Sequence, residues 1–166
     1  KLITSNLSQL ATAILMDPNY SLSNILQYNK SKGLIITLED HSFIETERGR
    51  YSGNIQNWSV EKIKKVGGDA VKVLAWYRPD ADSESIEHQK KYVKKIGGEC
   101  EKYSIPFLLE LLVYPFQDDE NHTTEYQEQK QKKTQHVINS VKEFSKDEYK
   151  VDIFKLESPV DSSNLE

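Results

Sequence analysis

Three charged side chains stand inside otherwise apolar runs of this sequence. Lys72 lies in Ala70-Val71-Lys72-Val73-Leu74-Ala75, Glu110 in Phe107-Leu108-Leu109-Glu110-Leu111-Leu112-Val113, and Lys155 in Asp152-Ile153-Phe154-Lys155-Leu156-Glu157. An unpaired buried charge costs several kcal/mol, so such residues persist mainly when they are paired or used. Two lysines and a carboxylate suit imine chemistry. A lysine attacks a carbonyl only as the neutral amine, so its reference pKa of about 10.4 must fall through desolvation and a nearby cation. Lys72 beside Lys155 would supply that cation. Glu110 could carry protons while a carbinolamine loses water and while an enamine is protonated. A structural Lys–Glu ion pair inside a sheet uses the same residue types, and spacing alone leaves both readings open.

The elements that must position these residues follow from periodicity. Short, nearly continuous apolar runs occur at Ala11–Met16, Leu34–Leu38, Ala70–Ala75, Pro106–Val113 and Val151–Leu156. Such runs suit parallel strands buried on both faces, and their spacing leaves room for a crossover helix each time. Strand parity puts Glu110 with Leu108 and Leu112 on one face, and Lys155 with Ile153 and Glu157 on one face. Between the runs, Ser21–Lys32 reads as a helix stopped by Gly33. Ser59 caps Val60–Val66, which Gly67-Gly68 ends. From Ser83 to Tyr103, the residues Ile86, Val93, Ile96, Cys100 and Tyr103 share one helical face, with Gly97-Gly98 expected to interrupt it. Thr124–Ser145 is polar at first and then carries Val137, Ile138, Val141 and Phe144 on one side.

The result is a string of βα units, hence an α/β fold with either an open doubly wound sheet or a closed barrel. No G-x-G-x-x-G follows the first strand and no P-loop is present, which lowers the weight of a nucleotide-binding sheet. The segments Glu39–Trp58 and Pro115–Thr123 read as long loops after strand carboxyl ends, where α/β enzymes place their sites.

The 166 residues fit one domain, 1–166, and the net charge of −4 gives no basic footprint for nucleic acid. No apolar run is long enough for a membrane span. Cys100 is a single thiol, read as a small buried hydrophobe and consistent with a reducing cytoplasm. The chain opens on Lys1, so the start of the gene product is expected to lie upstream. Glu39, Asp40 and His41 form an acidic cluster that a solvated loop explains better than a divalent metal. His88, His122 and His136 read as surface residues, and Lys130, Lys132 and Lys133 as a solvated helix face. Trp58, Trp76 and Tyr77 fit core or rim packing. Arg48, Arg50 and Arg78 are loop arginines that could meet a phosphate.

Four segments, in order, resemble the tagatose 1,6-bisphosphate aldolase family. They are Ala13-Ile14-Leu15-Met16-Asp17-Pro18-Asn19-Tyr20, Asp69-Ala70-Val71-Lys72-Val73-Leu74, Ile105-Pro106-Phe107-Leu108-Leu109-Glu110, and Val151 through Val160, which contains Lys155-Leu156-Glu157-Ser158-Pro159. The family belongs to the class I, Schiff-base aldolases, with the deoxyribose-phosphate and sulfofructose-phosphate enzymes. The resemblance implies a (β/α)8 TIM barrel and a lyase that cleaves a phosphorylated ketose through a lysine imine. Neither a metal nor a cofactor would be needed. By residue, Lys155 matches the imine-forming lysine, Glu110 the acid/base glutamate and Lys72 the second active-site lysine. Glu39 falls on a carboxylate found after the third strand in many members.

By that match the chain holds about five of the eight βα units. The first strand, with an aspartate the family uses, and the last two strands are missing; Asp17 belongs to the second strand and does not replace that aspartate. The expected partner is a phosphorylated sugar, with dihydroxyacetone phosphate and an aldehyde phosphate as products. Tagatose 1,6-bisphosphate is the first choice of substrate, with a sulfofructose phosphate or another phosphorylated ketose as alternatives. A non-catalytic sugar-phosphate-binding homologue would need no imine lysine. Nucleic acid and membrane partners are not expected; a homo-oligomer is open. The segment alone is expected to be inactive and, with unpaired strand edges, prone to associate.

Overall fold

The computed structural model describes residues 2–118 and 133–158. In chain order the elements are α1 (Leu2–Leu7), β1 (Ala13–Met16), β2 (Gly33–Thr37), β3 (Ile44–Thr46), β4 (Gly49–Tyr51), α2 (Val60–Lys65), β5 (Ala70–Trp76), α3 (Ser83–Lys102), β6 (Phe107–Leu112), α4 (Lys133–Phe144) and β7 (Ile153–Leu156). Five strands form one sheet in the order β1-β2-β5-β6-β7, every neighbouring pair parallel. The hairpin β3–β4 is separate and antiparallel.

Alternation along the strands divides the sheet into two different faces. Leu34, Ile36, Val71, Val73, Ala75, Phe107, Leu109 and Leu111 point one way. They pack with Val60 and Ile63 of α2, Val93, Ile96 and Cys100 of α3, and Phe144 of α4. All three crossover helices therefore cover the same face. A doubly wound sheet would divide its helices between two faces, so the arrangement is that of part of a (β/α) barrel with the helices outside. The opposite face carries Thr37, Lys72, Leu74, Leu108, Glu110, Ile153 and Lys155, as the register pairs them.

Two aspartates help to set that register. Asp69, just before β5, accepts the Leu34 N–H of β2 at 2.8 Å. Asp152, just before β7, accepts the Phe107 N–H of β6 at 2.8 Å. Each takes the amide of a neighbouring strand near its start, where the parallel ladder has yet to supply a partner. The Ser59 cap forms as expected, with its hydroxyl accepting the Lys62 N–H at 3.2 Å, and Gly67 ends the turn at φ 89°. Cys100 is buried on α3, and burial pushes its thiol up to about 12.

Four expectations change. Ser21–Lys32 is not an α-helix; only a short 3-10 turn, Leu22–Gln27, forms. The Ser21 hydroxyl accepts the Asp17 N–H at 2.7 Å, and the Ser and Asn side chains of this stretch favour turns over helix. Gly97-Gly98 does not interrupt α3. A Cβ at Gly97 would lie 1.9 Å from the Tyr149 carbonyl oxygen, so this glycine lets the chain before β7 lie against the helix. Glu39–Trp58 is not a plain loop but holds the β3–β4 hairpin, whose Glu45 and Arg50 face each other across the strands. His136 is buried with its Nε2 3.6 Å from Asp80, and His88 is half-buried with its Nε2 2.9 Å from the Ser52 carbonyl oxygen. His122, Lys130, Lys132 and the segments 119–132 and 159–166 lie outside the described residues.

The two α3 glycines give a direct check. Gly97→Ala is expected to destabilise the protein by about 1–3 kcal/mol, as overpacking against backbone does. Gly98→Ala, where an added Cβ meets nothing within 4 Å, is expected to be neutral or to stabilise by up to about 1 kcal/mol. Urea unfolding of the two variants measures the difference.

Candidate active site

The register brings the three strand charges together. Glu110 and Lys155 are direct partners across β6–β7, and Lys72 pairs with Leu108, one pleat earlier on the same face. Glu110 lies between the lysines: its Oε1 accepts Lys155 Nζ at 2.5 Å, and its Oε2 is 2.8 Å from Lys72 Nζ. Lys72 also donates to Oε1 of Glu39, just past the end of β2. The other oxygen of Glu39 accepts the Thr37 hydroxyl. A continuous chain results, Thr37–Glu39–Lys72–Glu110–Lys155, crossing four strand positions on one face.

Glu39 reaches this place because β2 continues past its last ladder residue. The Leu38 N–H donates to the Lys72 carbonyl at 2.9 Å, and Asp40 and Ile55 pair with Gly53 and Leu38 across a short antiparallel bridge. Asp40 instead accepts the Ser42 N–H and lies 3.6 Å from Nδ1 of the exposed His41, so of the three neighbours only Glu39 joins the lysine chain. Among the described residues, no group of three His, Cys, Asp or Glu converges as a metal site.

Burial differs along the chain of charges. The side chains of Glu39 and Lys72 are 8% exposed and that of Glu110 is 7%, whereas Lys155 is 59% exposed. Lys155 sits on β7, an edge of the described sheet, where Ile153 and Leu156 are exposed too. The inner carboxylates and Lys72 are thus dry, and the outer amine is open on one side. Burial alone would raise the Glu110 carboxyl, but hydrogen bonds from Lys155 and Lys72, with their charges, outweigh it and hold it below the usual range.

The hairpin closes the carboxyl-terminal end of this face. Arg50 is completely buried, its guanidinium 4.2 Å from the Phe43 ring centroid and 4.7 Å from those of Trp76 and Tyr114. Its Nη2 is 3.2 Å from Glu45. Such cation–π stacking is worth most where water is excluded. Ser52 continues the attachment: its N–H donates to Gln89 Oε1, and its hydroxyl accepts Gln89 Nε2, both at 2.9 Å. Trp58 packs against the main core, Tyr77 lies within it, and Trp76 belongs to a second cluster with Leu74, Leu112, Tyr114 and Phe116.

Arg50 is therefore a buried strut and not an exposed loop arginine. Arg48 stacks on Phe116 and pairs with Asp118 at 2.8 Å. Arg78 is buried against the Phe116 ring; its Nε and Nη2 donate to Asp80 at 3.0 and 2.8 Å, and its Nη1 to the Tyr114 carbonyl at 3.0 Å. Arg78 stands outside the lysine–carboxylate chain, and its guanidinium braces the rim. Thr37 was not singled out from sequence. The signal was present: a polar residue in an apolar strand, two positions before Glu39 and hence on its face.

The fold and the charged chain together define a parallel (β/α)-barrel segment with a paired lysine site. Comparison with known proteins agrees. The DeoC/LacD family aldolase profile matches residues 1–165. A tagatose 1,6-diphosphate aldolase of Enterococcus faecalis is 37% identical over 99% of this chain and 50% of its own length. A tagatose 1,6-diphosphate aldolase of Staphylococcus haemolyticus is likewise 37% identical over 99% of this chain and 50% of its own. This chain belongs to the DeoC/LacD aldolase family, and it spans about half the length of the curated relatives it matches. An archaeal fructose 1,6-bisphosphate aldolase shares the fold at a TM-score of 0.63 and 15% identity, over 95% of this chain and 54% of that one. A Schiff-base-forming fructose-1,6-bisphosphate aldolase does so at 0.54 and 16%, over 84% and 47%.

The lowered Glu110 carboxyl has a stability consequence. It binds fewer protons folded than unfolded, so its contribution is full above the unfolded value of about 4.3 and is lost as pH falls through the folded value. The urea midpoint is expected to fall between pH 6 and pH 3 in the parent protein and to fall less steeply in Glu110→Gln.

Proposed function

We propose that this chain supplies the imine-forming part of a class I aldolase, with Lys155 as the nucleophile, Glu110 as the acid/base group and Lys72 as the second cation. The observation that carries the proposal is the single Glu110 carboxylate hydrogen-bonded to the first lysine and paired with the second. A protein that merely bound a sugar phosphate would have no need of two lysines and two carboxylates linked on the face opposite the helices. Family membership favours the same chemistry.

In the proposed reaction, neutral Lys155 adds to the keto carbon of a phosphorylated ketose. Glu110 Oε1, hydrogen-bonded to that nitrogen, is placed to take or return its proton, and it assists loss of water from the carbinolamine. The iminium draws electrons from the C3–C4 bond as a carboxylate takes the C4 hydroxyl proton. An aldehyde phosphate leaves and an enamine remains on Lys155. Protonation of the enamine, assisted by Glu110, and addition of water then release dihydroxyacetone phosphate and restore the amine. Lys72, with three donors of which two reach Glu39 and Glu110, orients substrate hydroxyls with the third. Glu39 holds Lys72 from the other side and lines the substrate site. The remaining strands of the barrel would be supplied by the rest of a longer protein.

Relatives named for tagatose 1,6-diphosphate make tagatose 1,6-bisphosphate the first substrate to test. The deciding experiment treats the full-length protein with dihydroxyacetone phosphate and borohydride and maps the adduct by peptide mass. The expected adduct is on Lys155, and a protein that turns over tagatose 1,6-bisphosphate without a trapped lysine contradicts the proposal. Lys155→Ala is expected to abolish turnover. Glu110→Gln is expected to slow it by roughly 10²–10⁴.

A further inference from the structure

We infer that Thr37 is a positioning residue of this site, its hydroxyl fixing the Glu39 carboxylate so that Lys72 stays held between two carboxylates. The inference rests on the imine reading above and adds a residue to it. Thr37 is buried at the end of β2 and is the Cα partner of Lys72 across the β2–β5 ladder. Its hydroxyl donates to Oε2 of Glu39, while Oε1 of the same carboxylate accepts Lys72 Nζ.

The need for a second anchor follows from torsional freedom. The terminal torsion of a glutamate is broad and nearly two-fold, so one hydrogen bond leaves the carboxylate plane free to swing. Two donors from different directions fix it. Threonine suits the task because a β-branched side chain has few χ1 states, and a buried hydroxyl has one proton to commit. The sequence context makes the choice informative. Thr37 is the one polar side chain in the run Gly33-Leu34-Ile35-Ile36-Thr37-Leu38, where valine would have the same shape without a buried hydroxyl.

The consequence reaches Lys155 through the ions between. Lys72 is shared by Glu39 and Glu110, and Glu110 is shared by Lys72 and Lys155. A Glu39 carboxylate that swung away would leave Lys72 to Glu110 alone and weaken the hold of Glu110 on Lys155. The loss would fall on the chemical step more than on substrate binding, because Thr37 acts through Glu39 and touches no substrate.

The test compares full-length parent protein with T37V and T37S. The readouts are kcat and KM for cleavage, the rate of borohydride-trapped adduct on Lys155 with dihydroxyacetone phosphate, and the urea midpoint. T37V is expected to lower kcat and the trapping rate about tenfold with KM close to the parent value, and to lower the urea midpoint as well, because a buried carboxylate loses a hydrogen bond. T37S, which keeps the hydroxyl, is expected to recover most of the rate. Parent-like kcat in T37V, or a T37S as slow as T37V, overturns the inference. If T37V does not fold, T37A replaces it with the same two expectations. Parent protein that traps no adduct overturns the imine reading and this inference with it, whereas parent and T37V that trap at equal rates overturn this inference alone.

Discussion

One carboxylate, Glu110, shared by two lysines on the inner face of a parallel sheet is the interaction on which the rest of the structure depends. An ionised glutamate at 7% exposure would be untenable alone. Lys72 and Lys155 make it tenable, and Glu39 in turn balances Lys72. Two positive and two negative groups leave the row formally neutral. The helices occupy the other face, where Val71, Val73, Phe107 and Leu109 meet α2, α3 and α4. Because each strand alternates, the residue that packs a helix and the residue that joins the ion row are sequence neighbours. A slip of one residue in β5 or β6 would put charge into the helical core, and Asp69 and Asp152 help to prevent it by capturing amides of the neighbouring strands.

Position along the strands matters as much as face. The inner side of the sheet becomes apolar and aromatic toward the strand carboxyl ends, at Leu74, Trp76, Leu112 and Tyr114. The β3–β4 hairpin folds over this end with Arg50 among three rings, and Ser52 and Gln89 tie it to α3. The same excursion continues β2 far enough to bring Glu39 to Lys72. The segment from Leu38 to Ile55 therefore has two effects: its hairpin covers aromatic surface, and the bridge at its base holds the carboxylate that completes the row.

Much of this was legible in the sequence because buried parallel strands write continuous apolar runs. All five strands lie where those runs predict, and a charge inside such a run marks Lys72, Glu110 and Lys155 without any structure. What the sequence hid depended on contacts between distant segments. The β3–β4 hairpin has too few apolar residues to announce itself; its Arg50 is buried by rings from three different segments. Gly97 reads as a helix interruption until Tyr149 is seen against it. The Ser21–Lys32 periodicity suits a helix, but the Ser21 hydroxyl is engaged with Asp17. Thr37 follows from parity alone once Glu39 is placed. Of the contacts that hold Arg78, the one to the Tyr114 carbonyl is likewise between segments that a sequence does not bring together.

The most direct measurement of the central claim is a double-mutant cycle between Lys72 and Glu110 in the full-length protein. Unfolding free energies would be determined for the parent, Lys72→Met, Glu110→Gln and the double variant. A shared, dry ion row predicts that the single changes do not add, with a coupling energy of at least about 1 kcal/mol. Additive effects, with coupling indistinguishable from zero, would mean that the two groups do not meet and would contradict the account.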